Sequence, residues 1–229
     1  MIISIHMPKT AGASFLATLR DVYGAALLAD YEDMAALQAY FSTGASGAVS
    51  TPRPSSQFIR YRCIHGHFAV PKYGAFAADS ENLFITWLRD PAQRLHSHYY
   101  FWRRSFDPSR AGPIWQRFMA EDWSLERFCL CDEYRNIYHK YLCGFSATRL
   151  DFVGVVERYD ADLGLLGRNL LHASMLPHRE NRNTHAPGSY PVDPGLQREI
   201  EAFHAEDYAL YQQALAQPLR QQFNKDDLG

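Results

Sequence analysis

The chain has 229 residues, 47% hydrophobic and 21% charged, which is enough to bury a full core and ordinary for a globular protein. Its 23 Lys and Arg against 25 Asp and Glu leave a net charge of −2, so no global basic field announces nucleic acid or a densely sulfated polymer as a partner. No charged leader precedes the first strand and no run of about 18 apolar residues occurs. A single cytoplasmic domain, 1–229, with no transmembrane segment is therefore expected. Cys63, Cys129, Cys131 and Cys143 are too few for a disulfide framework, and Cys129-x-Cys131 lacks the two-residue gap of zinc knuckles. Buried thiols and no metal are expected.

Ile3 and Ile5 alternate with polar neighbours in a β-branched stretch that reads as a short strand, and Phe15, Leu16, Leu19 and Val22 then recur at helical spacing up to a stop at Gly24. Between them, Pro8-Lys9-Thr10-Ala11-Gly12-Ala13-Ser14 is a tight turn into a helix N-terminus. Free amides and the helix dipole both favour an anion there, Gly12 permits close approach, Thr10 or Ser14 offers a hydroxyl, and Lys9 adds a mobile cation. The Gly-x-x-x-x-Gly-Lys-Ser/Thr spelling of mononucleotide kinases is not met, because Lys9 follows a proline and precedes the glycine.

A second helical pattern runs from about Tyr31 to Phe41 through Met34 and Leu37, and the Ser-, Gly- and Pro-rich stretch 42–57 reads as a mobile loop. Phe58 to Ile64 is expected to be a strand ending in His65-Gly66-His67, with both histidines on one face. Leu83 to Leu88 is continuously apolar, as in a strand buried on both sides of a parallel sheet. It ends in Arg89-Asp90-Pro91, where Asp90 suits an N-cap and Pro91 the first helical position of a helix to about Arg104. An aromatic-rich helical insertion follows over about 105–145, then a strand at Phe152 to Val156 and a helix through Leu163, Leu166 and Leu170. Residues 172–194 have no clear period and carry Arg179, Asn181, Arg182 and Asn183. The last element, about Gly195 to Gln217, is an amphipathic helix. This alternation argues for a three-layer α/β fold with a central parallel sheet flanked by helices.

Arg89 falls at the carboxyl end of a buried strand, where open α/β sheets bind ligands, and Arg94 and Ser97 are neighbours on the following helix. An Arg fork and a hydroxyl suit a terminal phosphate dianion. Pro-Lys-Thr-Ala-Gly-Ala-Ser resembles the 5′-phosphosulfate loop of sulfotransferases that use 3′-phosphoadenosine 5′-phosphosulfate (PAPS). Arg89-Asp90-Pro91-x-x-Arg94-x-x-Ser97-x-Tyr99 resembles their 3′-phosphate motif. His65-Gly66-His67 is similar to a segment of the heparan sulfate 2-O-sulfotransferases, whose branch, with the 6-O enzymes and bacterial relatives, looks closest. Val156 to Asp160 and Asp207-Tyr208-x-x-Tyr211 also look like family segments, whereas Ile137 departs from a common glutamine.

The resemblance implies a P-loop-like fold with PAPS as co-substrate and no metal. Pro8, Lys9, Thr10, Ala11, Gly12, Ala13 and Ser14 would hold the 5′-phosphosulfate, and Arg89, Ser97 and Arg94 the 3′-phosphate. The segment Arg179 to Asn183, with Arg182, is expected to close over the nucleotide. The implied reaction is in-line sulfuryl transfer to an acceptor hydroxyl, on a saccharide or glycolipid, with Lys9 beside the bridging oxygen and His67 as base. His65 is expected to support His67 or touch substrate, and His6, His96, His98 and His139 are alternative bases. Tyr99 to Trp102 reads as core, with one ring able to stack on a sugar as the alternative, and Arg103, Arg104 and Arg110 as a solvated patch or an acceptor anion site. A nucleotide kinase of related fold and a non-catalytic nucleotide-binding scaffold are the competing readings.

Overall fold

The computed structural model describes residues 1–31, 37, 41, 58–180 and 189–218. Five strands, β1 (Ile2–Ile5), β2 (Leu27–Asp30), β3 (Cys63–Gly66), β4 (Leu83–Leu88) and β5 (Phe152–Val155), form one sheet in the order β2-β3-β1-β4-β5. All four pairings are parallel. Central β1 sets Ile5 opposite Gly66 on one side and Thr86 on the other, so β1 and β3 end level with one another and β4 runs two residues further, to Leu88.

Side chains of successive strand residues go to opposite faces, and both faces are covered. Ile2, Cys63, Ile85, Trp87 and Phe152 meet Phe15 and Leu19 of the Gly12–Tyr23 helix and Leu163 and Leu166 of the Tyr159–Leu166 helix. Ile3, Ile5, Ile64, Phe84, Leu88, Val153 and Val155 face the larger cluster. That cluster takes in the helices Pro91–Arg104, Pro113–Ala120, Leu125–Cys129 and Ile137–Leu142 and the C-terminal helices. The result is the expected three-layer arrangement. The helix stop at Gly24 and the cap at Asp90 hold as read: Gly24 adopts φ 48°, and the Asp90 carboxylate accepts the Gln93 amide at 2.9 Å.

Three expectations need correction. The strand expected from Phe58 starts only at Cys63, because β1 and β2 both begin opposite that residue and offer no earlier partner. β2 itself went unread, since Leu27-Leu28-Ala29-Asp30 lacks β-branched residues and is a strand through its pairing with β3. The single last helix is two, Pro194–Phe203 and Ala205–Ala216. They part at buried His204, whose Nε2 is 2.7 Å from the Cys129 carbonyl and whose Nδ1 accepts the Asn136 amide at 3.3 Å. Of the helix expected over 31–41, Tyr31, Leu37 and Phe41 are described, Tyr31 outside any helix and the other two helical; the loop 42–57 lies outside the described residues. Cys63 and Cys129 are buried free thiols, whereas Cys131 and Cys143 are only half-buried.

Candidate functional site

The carboxyl ends of β1, β3 and β4 release three segments at one edge of the sheet: His6 to Lys9, His67 and, from the longer β4, Arg89. Such an edge is where parallel sheets place ligands, because side chains from several strands converge there without blocking the pairing. Lys9 and Ala11 take left-handed backbone conformations, at φ 67° and 62°, so the turn folds back tightly before the helix. Ala11 is the N-cap and supplies no side-chain acceptor, leaving the first-turn amides uncapped.

Contacts at this loop differ from those read in the sequence. A Cβ on Gly12 would lie 1.8 Å from Nε2 of His6, so the close approach permitted by glycine is used by that imidazole. Thr10 turns inward and donates to the Met7 carbonyl at 2.8 Å. The Ser14 hydroxyl accepts the Glu180 amide at 2.9 Å, tying the loop after 172 to this helix. Pro8 and Ala13 are half-buried on the turn.

Lys9 extends to the Pro91–Arg104 helix, its Nζ 3.9 Å from the centre of the Phe101 ring. Ser97, Phe101 and Arg104 recur at i, i+4 and i+7 and so share one face of that helix, with Ser97 largely buried. Burial, then the charges of Arg104 and Arg89, bring the Lys9 ammonium down to about 8. Among the described residues, neither Lys9 nor Arg89 has a carboxylate within ion-pair reach. Cations gathered beside an uncapped helix N-terminus suit an anionic ligand. Arg89 also lies 5.9 Å from the centre of the Tyr190 ring. Tyr190 is held in register by Gln93, through bonds of 2.7 and 2.9 Å to its amide and carbonyl, and stacks on Tyr100.

Beside these cations three imidazoles stack. The His6 ring lies 4.1 Å from His67 and 5.2 Å from His65, nearly parallel to both, and Tyr31 meets all three edge-on. Nδ1 of His67 is 2.6 Å from the His6 carbonyl oxygen, an acceptor only, so Nδ1 carries the proton and Nε2 keeps its lone pair. His65 is 1% exposed and pairs with buried Ser4 at 2.9 Å. It supports the stack from within and is not placed to touch substrate. Burial, then the charge of His67, brings the His65 imidazole down to about 3. His67 is brought down to about 4 by burial, the His6 carbonyl opposing and Lys9 adding to it. His6 is lowered by burial and by His67, His65 and Lys9. All three are neutral at physiological pH.

Arg94 is not on the cleft. It is fully buried, 5.7 Å from the centre of the Tyr138 ring, and so cannot serve as the expected phosphate contact. The other alternative histidines are also accounted for. His96 donates through Nδ1 to the Ala92 carbonyl, His98 is enclosed by Trp102, Phe128 and Tyr134, and His139 stands exposed opposite Glu206. Arg103 is held by Asp122 and the Trp123 carbonyl, while Arg110 is exposed. Arg179 pairs with Asp160; Asn181, Arg182 and Asn183 lie outside the described residues. Tyr31, Phe101, Tyr138 and Tyr190 were not singled out for the site, and only Tyr99 to Trp102, read as core, gave a local signal. Among the described residues no group of three or more His, Cys, Asp or Glu is placed to hold a metal, and no helix is long and apolar enough to cross a membrane.

No protein-family model matches the chain, and no curated protein matches it. Solved structures similar to it include a sulfotransferase from Alicyclobacillus acidocaldarius, at 16% identity over 95% of this chain and 96% of that one, with a TM-score of 0.49. Another is mouse sulfotransferase SULT7A1 complexed with PAP, at 11% identity over 92% and 88%, with a TM-score of 0.47. Likenesses this distant carry no functional argument, which rests on the residues themselves.

The buried imidazoles link the site to acid stability. Unfolded histidine titrates near 6.5, well above the folded values of about 3 and 4 for His65 and His67. Between about pH 6.5 and 4 the unfolded chain therefore binds protons that the folded chain refuses, and stability falls as pH falls. His65→Asn, which keeps a polar partner for Ser4, is expected to flatten the fall in urea midpoint between pH 7 and 4.5. An unchanged slope would remove His65 as its source.

Proposed function

We propose that the chain is a PAPS-dependent sulfotransferase acting on a hydroxyl acceptor. The observation that carries this reading is the convergence of Lys9, Arg89 and the free Nε2 of His67 at three adjacent strand ends, beside an uncapped helix N-terminus. Two anion-binding cations on separate strands suit a ligand with phosphates at both ends, and a neutral imidazole on the Lys9 side, at the end of neighbouring β3, suits proton removal from an alcohol.

In this scheme the first-turn amides and Lys9 hold the 5′-phosphosulfate, and Arg89 with Ser97 holds the 3′-phosphate. His67 takes the acceptor proton on Nε2 as the acceptor oxygen bonds to sulfur and the bond from sulfur to the bridging oxygen breaks. Lys9 and the loop amides stabilise the charge left on the departing 5′-phosphate, the term that usually dominates such transfers. The His6 carbonyl, by holding the Nδ1 proton, stabilises the imidazolium that results. His65 and His6 are positioning residues. Pro8, Ala11 and Ala13 shape the loop, whereas Thr10 and Ser14 brace it from within. A saccharide or glycolipid is the acceptor class that the resemblance of the motifs implies.

Calorimetric titration with 3′-phosphoadenosine 5′-phosphate is expected to show metal-independent binding that Arg89→Ala weakens strongly. Preference for ATP with magnesium would support a kinase instead, and binding of neither a scaffold. His67→Ala should abolish sulfuryl transfer, about 10²–10⁴-fold being the usual contribution of a positioned base, while nucleotide affinity persists. Full activity in that variant would eliminate the assignment. Because an arriving anion raises a Lys9 that stands at about 8 in the free protein, binding at pH 8 should take up a fraction of a proton. Titrations in buffers of different ionisation enthalpy would read this uptake, and Lys9→Arg, always charged, should lose it.

A further inference from the structure

Behind Arg89 lies a buried polar system that the proposed chemistry does not use. Tyr138, fully buried on the Ile137–Leu142 helix, donates its hydroxyl to the Arg89 carbonyl at 2.7 Å and accepts the Arg89 amide at 3.2 Å. One phenol thus holds both backbone groups of the residue that follows β4. Its helix starts at Asn136 in a left-handed conformation with no side-chain cap of its own. The missing acceptor comes from buried Asp207, whose Oδ1 accepts the amides of Tyr138 at 3.0 Å and His139 at 3.3 Å.

Asp207 and Arg94 are the buried titratable groups around Tyr138. The guanidinium of Arg94 packs 5.7 Å from the centre of the Tyr138 ring and has no hydrogen-bond partner on any nitrogen among the described residues. Oδ2 of Asp207 is likewise without one. Burial raises the Asp207 carboxyl to about 7, against the opposing pull of Arg94. Such buried groups are costly unless they hold something in place. What they surround here is Tyr138.

We infer that Asp207 and Tyr138 are positioning residues for Arg89, a chain running from the Ala205–Ala216 helix through the start of the Ile137–Leu142 helix to the backbone of the anion site. The inference rests on the reading that Arg89 binds the nucleotide's 3′-phosphate. Tyr138 fixes the plane of the peptide groups on either side of Arg89, and with it the direction in which the guanidinium leaves the strand end. Asp207 fixes Tyr138 by capping its helix. The C-terminal helix, remote in sequence from both motifs, thereby sets the aim of the second.

The test uses the full chain and two probes, 3′-phosphoadenosine 5′-phosphate and adenosine 5′-phosphosulfate, which lacks the 3′-phosphate. Tyr138→Phe keeps the ring and removes both bonds to Arg89. It should weaken the bisphosphate about tenfold, as loss of such bonds allows, and leave the phosphosulfate unchanged. In an Arg89→Ala background the same change should cost nothing further. Asp207→Asn, which keeps an acceptor oxygen, should bind like wild type, and Asp207→Ala should show the Tyr138→Phe selectivity. Equal loss of both probes, undiminished bisphosphate affinity in Tyr138→Phe, or an additive double variant would overturn the inference while leaving the nucleotide reading intact. Failure of wild type to bind the bisphosphate would overturn both, a result that the wild-type titration separates from the others.

Discussion

Parallel pairing of β1 with β3 on one side and β4 on the other is the constraint from which the site follows. Ile5, Gly66 and Thr86 lie in one row across the sheet, so the segments beyond β1 and β3 emerge together and β4 carries Arg89 out just past them. Packing enforces this register as much as hydrogen bonding does. A one-residue slip of β1 would exchange Ile3 and Ile5 with Ile2 and Ser4 between faces, placing a hydroxyl in the larger core. A Cβ on Gly66 would come within 1.6 Å of the Asp30 carbonyl oxygen, which is why a small residue separates the two histidines.

Burial acts in the same sense on the two kinds of titratable group at this edge, favouring the neutral form of each. It keeps His65 and His67 neutral, with the Nδ1 proton of His67 fixed by a carbonyl oxygen. It also weakens the charge on Lys9, which shares its surroundings with Arg89 and Arg104. A neutral imidazole and an under-compensated cation are both conditions that an arriving anion improves. The site is arranged so that ligand charge completes it.

Arg94 shows why a motif residue and a ligand contact are different things. Its spacing from Arg89 and Ser97 is what a phosphate site would use, yet the helix turns it inward, beneath Tyr138 and toward Asp207. The motif therefore joins two functions in one segment. Arg89 and Ser97 are the residues we propose for the phosphate, and Arg94 belongs to the interior beneath them.

The sequence by itself determined the layer architecture, the strand–turn–helix at Lys9, the capped start of the second motif helix and the pairing of His65 with His67. Each is written in local signals: apolar periodicity, a proline or glycine at a position that needs it, or an N-cap three residues before the amide it accepts. Only the tertiary structure decided which candidates reach the cleft, because that depends on what packs against each one from far along the chain. His6 fills the space left by Gly12, Glu180 occupies Ser14, and Asp207 governs Tyr138 and through it Arg89. These contacts join residues up to 166 positions apart, and no local period records them. β2 and the break at His204 escaped for the same reason: both are held by partners supplied from elsewhere in the fold.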